Sequence, residues 1–132
     1  MAYLRPNLFE RMVFNRLASK LGMSGTHVLA LRGSKSGATV RVPVIPVDIG
    51  GARYIVSTRG EAAWVRNLRA AGNRGELSRK GKRFAFVATE IPVQERAQYI
   101  AEYRKVAGKV VERYWKALPD PADHPVFRLE PA

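Results

Sequence analysis

Residues 26–58, THVLALRGSKSGATVRVPVIPVDIGGARYIVST, decide the fold class. Residues 26–32 alternate apolar and polar side chains, as a half-buried strand does. A glycine-bounded turn at 33–37 separates them from the β-branched stretch 39–49, and a double glycine, which is a hairpin signal, precedes a returning strand at 53–58. Consecutive strands joined by short turns predict an antiparallel sheet.

The remainder of the chain adds short helices and further strands. Apolar periodicity and flanking glycine or proline residues predict helices at 61–71, 92–106 and 109–118, a hairpin of 75–80 with 82–91, an extended linker at 119–125 and a last strand at 126–129. Pro43 and Pro46 indicate an edge strand or a bulge, since proline cannot donate to a strand ladder. Five or six strands with interposed helices predict a mainly β domain of the α+β class, built as a closed antiparallel barrel with peripheral helices.

The N-terminal residues predict a helix at 6–21, on which an apolar side chain recurs every four residues at Phe9, Val13, Leu17 and Leu21. Arg16 and Lys20 fall inside this apolar stripe. Two interpretations stay open: a helix lying at a membrane interface with snorkelling basic side chains, or a short helix whose last turns are exposed. We therefore divide the chain into an N-terminal helical segment, 1–25, and a barrel domain, 26–132.

The composition favours one domain that attracts anions. The chain has 132 residues, a formal charge of +12 and no cysteine, which excludes disulfides, thiolate metal sites and a cysteine nucleophile. No apolar run approaches the length of a membrane span, and charged residues interrupt the apolar region that a signal peptide needs. These features predict a cytoplasmic protein, with a peripheral position at the inner face of the cell membrane as the alternative.

The residues offer no self-contained catalytic site. His27 and His124 stand far apart without a serine or carboxylate motif beside them, so neither a metal site nor a Ser-His-Asp triad is predicted. Phosphate-binding loops of the Walker type and G-x-G-x-x-G motifs are absent from the sequence. If the chain is an enzyme, an organic cofactor is expected to supply the reactivity.

The turn GSKSG at 33–37 is a candidate anion cradle. Its backbone N–H groups, the hydroxyls of Ser34 and Ser36 and the ammonium of Lys35 could converge on a phosphate. Such turns are also common as solvated hairpin ends, so the turn alone does not decide between the two interpretations.

The motifs that follow the turn come in a specific order. Pro43 stands six residues after Gly37, and a strand ends in VSTRG at 56–60. A helix with the motif W-x-x-N-L at 64–68 follows, and the chain closes on HPVFRLEP at 124–131. This succession, over residues 26–131, resembles the deazaflavin-dependent nitroreductase family, the F420-dependent quinone and nitro reductases of actinobacteria. The resemblance implies a split β-barrel like that of FMN-binding flavin reductases. It also implies hydride transfer from reduced coenzyme F420, or FMN as the alternative, to a quinone, enone or nitro compound.

The resemblance places the cofactor along the turn, the next strand, the end of the strand after it and the start of the following helix. The implied contacts are Ser34, Lys35, Ser36, Val40, Arg41, Val42, Pro43, Val44, Ile45, Val56, Ser57, Thr58, Arg59, Gly60, Ala63, Trp64, Val65, Arg66 and Asn67. Basic side chains among them would neutralise a phosphate and a glutamate tail, and the indole of Trp64 would form an apolar wall or simply pack in the core. The catalytic candidates are Ser57 and Thr58, as hydrogen-bond donors to developing charge, and Tyr103 and Tyr114, as proton donors.

Three departures from the family pattern qualify this assignment, and one of them is Val65, where many relatives have tyrosine. The family usually has arginine where this chain has Val40, and the next residue, Arg41, falls on the opposite face of a regular strand. Either a bulge re-aims Arg41, or Lys35 and Arg59 bind the phosphate. Residues 104–106 are Arg-Lys-Val where nitroimidazole-reducing members carry tyrosines, so reduction of nitroimidazole prodrugs is not expected.

Three rival functions stay open. The first is a split barrel that binds FMN or haem, and the second is a non-catalytic module that binds a lipid or another ligand. Nucleic-acid binding is the third and the least supported, because Phe84 and Phe86 alternate like core residues of a strand. The expected partners are therefore a small-molecule hydride acceptor and, through the N-terminal helix, an anionic membrane surface, with no nucleic acid. The chain is expected to be a monomer or a dimer.

Overall fold

The computed structural model of the protein describes residues 25–132. Within this range the chain forms seven strands: β1 His27–Arg32, β2 Thr39–Val44, β3 Val47–Ile49, β4 Ala52–Val56, β5 Arg74–Arg79, β6 Lys82–Glu90 and β7 Val126–Pro131. It also forms three α-helices: α1 Ala63–Ala70, α2 Arg96–Ala107 and α3 Glu112–Ala117. Short 3-10 turns precede α2, join it to α3 and precede β7, at Val93–Glu95, Gly108–Val111 and Pro121–Asp123.

All seven strands belong to one antiparallel sheet, in the order β2-β1-β5-β6-β7-β4-β3. The strands β2 and β3 are the two edges of this sheet, yet only residues 45–46 connect them. A link this short holds the two edges close together, so the sheet has to curl into a barrel with one open seam. The mainly β fold with peripheral helices is therefore confirmed, and the barrel is split.

Two apolar cores meet at the strand β4. Ile55 points into the barrel and is fully buried with Phe127 and other inward-facing side chains. The neighbouring Tyr54 and Val56 point outward and are buried beneath α2 and α3. Burial on both faces explains why β4 reads as a continuous apolar run, YIV, and not as an alternation.

The stretch 39–49, which the sequence predicts as one strand, is two. The ladder of β2 ends at Val44, and Pro46 lies in the link to β3. Proline has no N–H for a ladder and restricts the residue before it, so the chain changes direction here. This break is why five or six strands were expected where the described residues form seven. The expected linker at 119–125 also holds a 3-10 turn, capped by the side chain of Asp120, which accepts from the Ala122 N–H at 2.9 Å.

The predicted N-terminal helix at 6–21 lies outside the described residues, as does the segment 1–25 except for Gly25. The first described strand begins at His27, one residue after the proposed domain boundary. Between residues 25 and 132, no helix is long and apolar enough to cross a membrane.

Gly75 on β5 is a position where the barrel interior leaves no room for a side chain. A Cβ atom there would lie 2.7 Å from Leu31 Cδ2 and 2.8 Å from Phe86 Cζ. Both neighbours are buried and cannot swing into solvent. We expect Gly75→Ala to lower the free energy of unfolding by about 1–3 kcal/mol through overpacking, measured by urea denaturation. In Gly25→Ala the nearest atom would be 3.9 Å away, at Ile45 Cγ2, and a change within about 0.5 kcal/mol is expected. Equal effects of the two substitutions would contradict the packing argument.

Candidate active site

A narrow cleft opens at the seam of the barrel, where the two cores meet. Among the described residues it is lined by Val42, Pro43, Val44, Ile45, Val56, Thr58, Arg59, Trp64 and Tyr103. The cleft has a volume of about 360 Å³, counted out to open solvent. This slot has mainly apolar walls, and its polar groups are two hydroxyls, of Thr58 and Tyr103, and the guanidinium of Arg59.

Four separate segments supply these walls. The end of β2 and the link to β3 form one side, and the end of β4 with the loop after it forms the other. The helices α1 and α2 each contribute one aromatic side chain, Trp64 and Tyr103. Trp64 packs on Phe127 inside the barrel, with ring centroids 5.9 Å apart, so its indole is held rigidly at the cleft.

The loop after β4 is fixed by Ser57 and Gly60. The Ser57 hydroxyl donates to the Gly60 carbonyl at 2.6 Å, and Ser57 is 1 % exposed. Gly60 has a φ of 79°, a backbone conformation that residues other than glycine rarely adopt. Together the two residues close a tight loop that presents Thr58 and Arg59 to the cleft.

The ring of His124 contacts the backbone at the start of this loop. Its ring lies within hydrogen-bond distance of two carbonyl oxygens, 2.9 Å from Nδ1 to Ser57 O and 2.7 Å from Nε2 to Leu118 O. The ring is fully buried and stacks on Trp115, with centroids 4.4 Å apart. His124 therefore joins the end of β4 to the end of α3. Sequence reasoning treated it as an ordinary polar residue, because no local motif announces a contact across 67 residues.

The turn 33–37 is compact and attached to the helix beside the cleft. Gly33 N–H donates to the Ala38 carbonyl at 2.7 Å, and the Ser36 hydroxyl accepts from the Ala38 N–H at 3.2 Å. The Ser34 N–H donates to the Asn67 side-chain oxygen at 3.1 Å. Asn67 stands three residues after Trp64, one helical turn away on the same face of α1. Lys35 and both serines are exposed, so their polar groups can reach a ligand that extends out of the cleft.

Arg41 lies on the outer face of β2. The pairing of β2 with β1 runs without a break from Thr39 to Val44, so no bulge re-aims the arginine. Its partner across the ladder is Ala30, whereas the inward-facing Leu29 pairs with Val42. Of the two alternatives stated above, the regular ladder therefore favours Lys35 and Arg59 as the phosphate ligands.

The two tyrosines proposed as proton donors have different surroundings. Tyr103 lines the cleft, and burial raises the pKa of its hydroxyl, to which the neighbouring Tyr114 adds. Its hydroxyl therefore keeps its proton at neutral pH. Tyr114 is buried in the core beneath the helices, where its oxygen accepts from Arg113 Nη2 at 3.1 Å, and it does not line the cleft.

All nine lining residues are among those predicted for the site, but the remaining candidates lie elsewhere. Val65 is fully buried in the barrel core, and Ser57 is turned toward Gly60. Arg66 donates to the Glu61 carbonyl at 2.7 Å, and Ala63 and Val40 are exposed. For every one of these residues, contact with a cofactor stays a prediction.

Comparison with known families decides the class of the protein. The sequence model of the F420H(2)-dependent quinone reductase family matches residues 7–117, which is most of the chain. The chain belongs to this family. It is accordingly an oxidoreductase whose cofactor is reduced coenzyme F420, as the order of motifs implied. No curated protein matches the chain in sequence.

Solved structures share the fold of this F420-dependent reductase at low sequence identity. An F420-H2 dependent reductase, FDR-A, is 22 % identical, with a TM-score of 0.60 over 81 % of this chain and 95 % of that one. A structure described as a domain-swapped dimer is 18 % identical, with a TM-score of 0.59 over 91 % of this chain and 98 % of that one. A heme binding protein from Mycobacterium smegmatis is also 18 % identical, with a TM-score of 0.59 over 97 % of this chain and 52 % of that one. At these identities the three structures support the split barrel and nothing more specific.

Proposed function

We propose that the cleft at the barrel seam holds the ring of reduced F420 and that the protein transfers its hydride to a quinone. One observation supports this most directly: residues from four separate segments meet around this slot, and three of these segments were predicted from the family motifs. The chemistry of the slot fits the cofactor. Its walls are apolar and aromatic, and cationic side chains stand at Arg59 and at Lys35 on the attached turn.

Different residues would bind the ring and the anionic tail of the cofactor. Val42, Val44 and Trp64 exclude water from the slot and bury a flat ring by apolar contact. Arg59 and Lys35 attract the phosphate and carboxylates of the tail through charge-assisted hydrogen bonds. When bound, the reduced deazaflavin supplies a hydride from the carbon that replaces N5 of a flavin.

Two hydroxyls of the cleft could serve the acceptor. Thr58 offers a hydrogen-bond donor where negative charge develops during reduction. The Tyr103 hydroxyl keeps its proton at neutral pH and would donate a hydrogen bond to the oxygen of a quinone as it is reduced. Ser57 is better described as a positioning residue, because its hydroxyl already donates to Gly60. Enones and nitro compounds remain further candidate acceptors. Two further proposals are separate from the reaction: the protein is a monomer or a dimer, and residues 1–25 bind an anionic membrane surface.

The direct test is a titration of the purified protein with F420 and with FMN, read by fluorescence. Micromolar binding of F420, much weaker binding of FMN and a loss of F420 affinity at high salt are expected, because the anionic tail meets basic side chains. Oxidation of reduced F420 is then followed with a soluble quinone, an enone and a nitroarene, and the quinone is expected to react fastest. Failure to bind F420 would contradict the proposed site.

Lys35 provides the sharpest single substitution for the tail. Lys35→Ala is expected to weaken F420 binding by about 1–3 kcal/mol, because a charged group then loses its partner. The fold of the Lys35→Ala variant is expected to be unaffected, since the Lys35 side chain is exposed. The matched control is Lys116→Ala, which removes the same charge from an exposed position on α3. If both variants bind F420 as the unmodified protein does, Lys35 is not a ligand.

A further inference from the structure

One mouth of the barrel is ringed by basic side chains. A cavity of about 350 Å³ opens there, lined among the described residues by His27, Arg53, Leu77, Arg79, Lys80, Lys82, Arg83 and Phe84. None of these residues lines the cleft at the seam. The volume is within the range of small-molecule sites in proteins.

The strand register explains why the charges converge. Leu77 on β5 pairs with Phe84 on β6, and both side chains face the barrel interior. Arg79 and Lys82 pair two positions further along the same ladder, so they share that inward face at the mouth. Arg53 approaches from β4, with its guanidinium carbon 5.5 Å from the centre of the Phe84 ring. The cavity therefore has an apolar floor and a cationic rim.

The hairpin of β5 and β6 has two locally unfavourable features at this mouth. Arg79 and Lys82 are directly opposite each other, and like charges in that position destabilise a sheet. Lys80 has a φ of 50° in the two-residue turn before Gly81, where glycine or asparagine is favoured and lysine is strained. Both features belong to residues that line the same cavity.

The local electrostatics agree with an excess of positive charge. Burial lowers the pKa of His27, and the charges of Arg53 and Arg79 lower it further. The hydrogen bond to the Gly25 carbonyl and the charge of Asp48 act in the opposite direction, and the net pKa is lowered. At the rim, Asp48 lies 3.0 Å from Arg53, and Glu76 lies 4.0 Å from Arg83. Within residues 25–132, no ion pair involves Lys80 or Lys82.

We propose that this mouth is a second anion site, which binds the phosphate group of a phosphorylated molecule separately from the F420 cleft. The ammonium groups of Lys80 and Lys82 and the guanidinium of Arg79 bind the phosphate oxygens. The Phe84 ring and Leu77 contact the apolar part of the ligand. A bound phosphate offsets the repulsion between the charges of Arg79 and Lys82, which face each other across the ladder.

The test uses the full chain with pyrophosphate as probe, titrated by calorimetry at low salt. The double variant Lys80→Gly with Lys82→Thr removes two charges, relieves the strained φ and keeps a favourable hairpin turn. It is expected to have a raised Tm, at least about tenfold weaker pyrophosphate binding and unchanged affinity for F420. Its control, Lys109→Ala with Lys116→Ala, removes the same charge from exposed positions elsewhere and should bind both ligands as before.

Further readouts separate the sources of the phosphate. The titration midpoint of the His27 ring, followed by NMR, is expected to move to higher pH when pyrophosphate binds. Sedimentation with neutral vesicles, with and without phosphatidic acid, distinguishes a lipid headgroup from a soluble ligand; either source supports the site if the double variant abolishes binding. Binding of neither probe, equal binding by the double variant, or a parallel loss of F420 affinity would overturn the proposal.

Discussion

Val42→Trp is expected to weaken the binding of F420 at least about 100-fold, which corresponds to roughly 2.7 kcal/mol. Val42 lies on an edge strand and is half-buried, with its side chain packed between the barrel core and the cleft. An indole at this position would extend into the slot in which the cofactor ring is proposed to lie. The added bulk therefore competes directly with the ring.

This effect has to be separated from a general loss of stability. Overpacking costs about 1–3 kcal/mol in a closed core, and less is expected here because one side of Val42 faces the open seam. Fluorescence titration with F420 and thermal unfolding are measured on the same preparation. Val93→Trp places the same indole at a position that is 51 % exposed and does not line the cleft, so it should leave F420 binding unchanged. A folded Val42→Trp protein that binds F420 within threefold of the original would place the ring outside the cleft.

His124→Phe is expected to lower the free energy of unfolding by about 2–4 kcal/mol, because the ring N–H that donates to a buried carbonyl oxygen, of Ser57 or Leu118 according to the tautomer, is then lost. Phenylalanine keeps a planar ring against Trp115, so the stacking contact is retained while the polar contacts are removed. Urea denaturation measures the change directly. Activity is expected to fall as well, since the Ser57 carbonyl precedes the loop that carries Thr58 and Arg59.

The second histidine of the chain provides the control. His27 is only half-buried, and its ring contacts one carbonyl, that of Gly25, at 2.8 Å. His27→Phe is expected to cost less than about 1 kcal/mol, since its partner can bond to water instead. If the free energy of unfolding falls equally in the two variants, or by less than about 0.5 kcal/mol in His124→Phe, the buried contacts of His124 do not hold the loop.

The candidate cleft could be anticipated to an unusual degree because its residues lie in contiguous motifs. The turn, the strand with Pro43, the end of the next strand and the helix that carries Trp64 are close in sequence, and each has a local signature. Tyr103 was also among the candidates, although its placement depends on how α2 packs. What could not be read locally was which residues of a motif face the slot, as Ser57 and Val65 illustrate.

Sequence by itself determined the strand-rich domain, its tight turns, the basic charge and the family, because these depend on local preference and on the order of short motifs. Only the tertiary structure decided that 39–49 is two edge strands at one seam, that Arg41 faces outward and that His124 supports Ser57. It also brought His27, Arg53 and Lys82 to one mouth of the barrel. Such contacts depend on strand register and on the curvature that closes the sheet, which are set by packing among residues far apart in the chain.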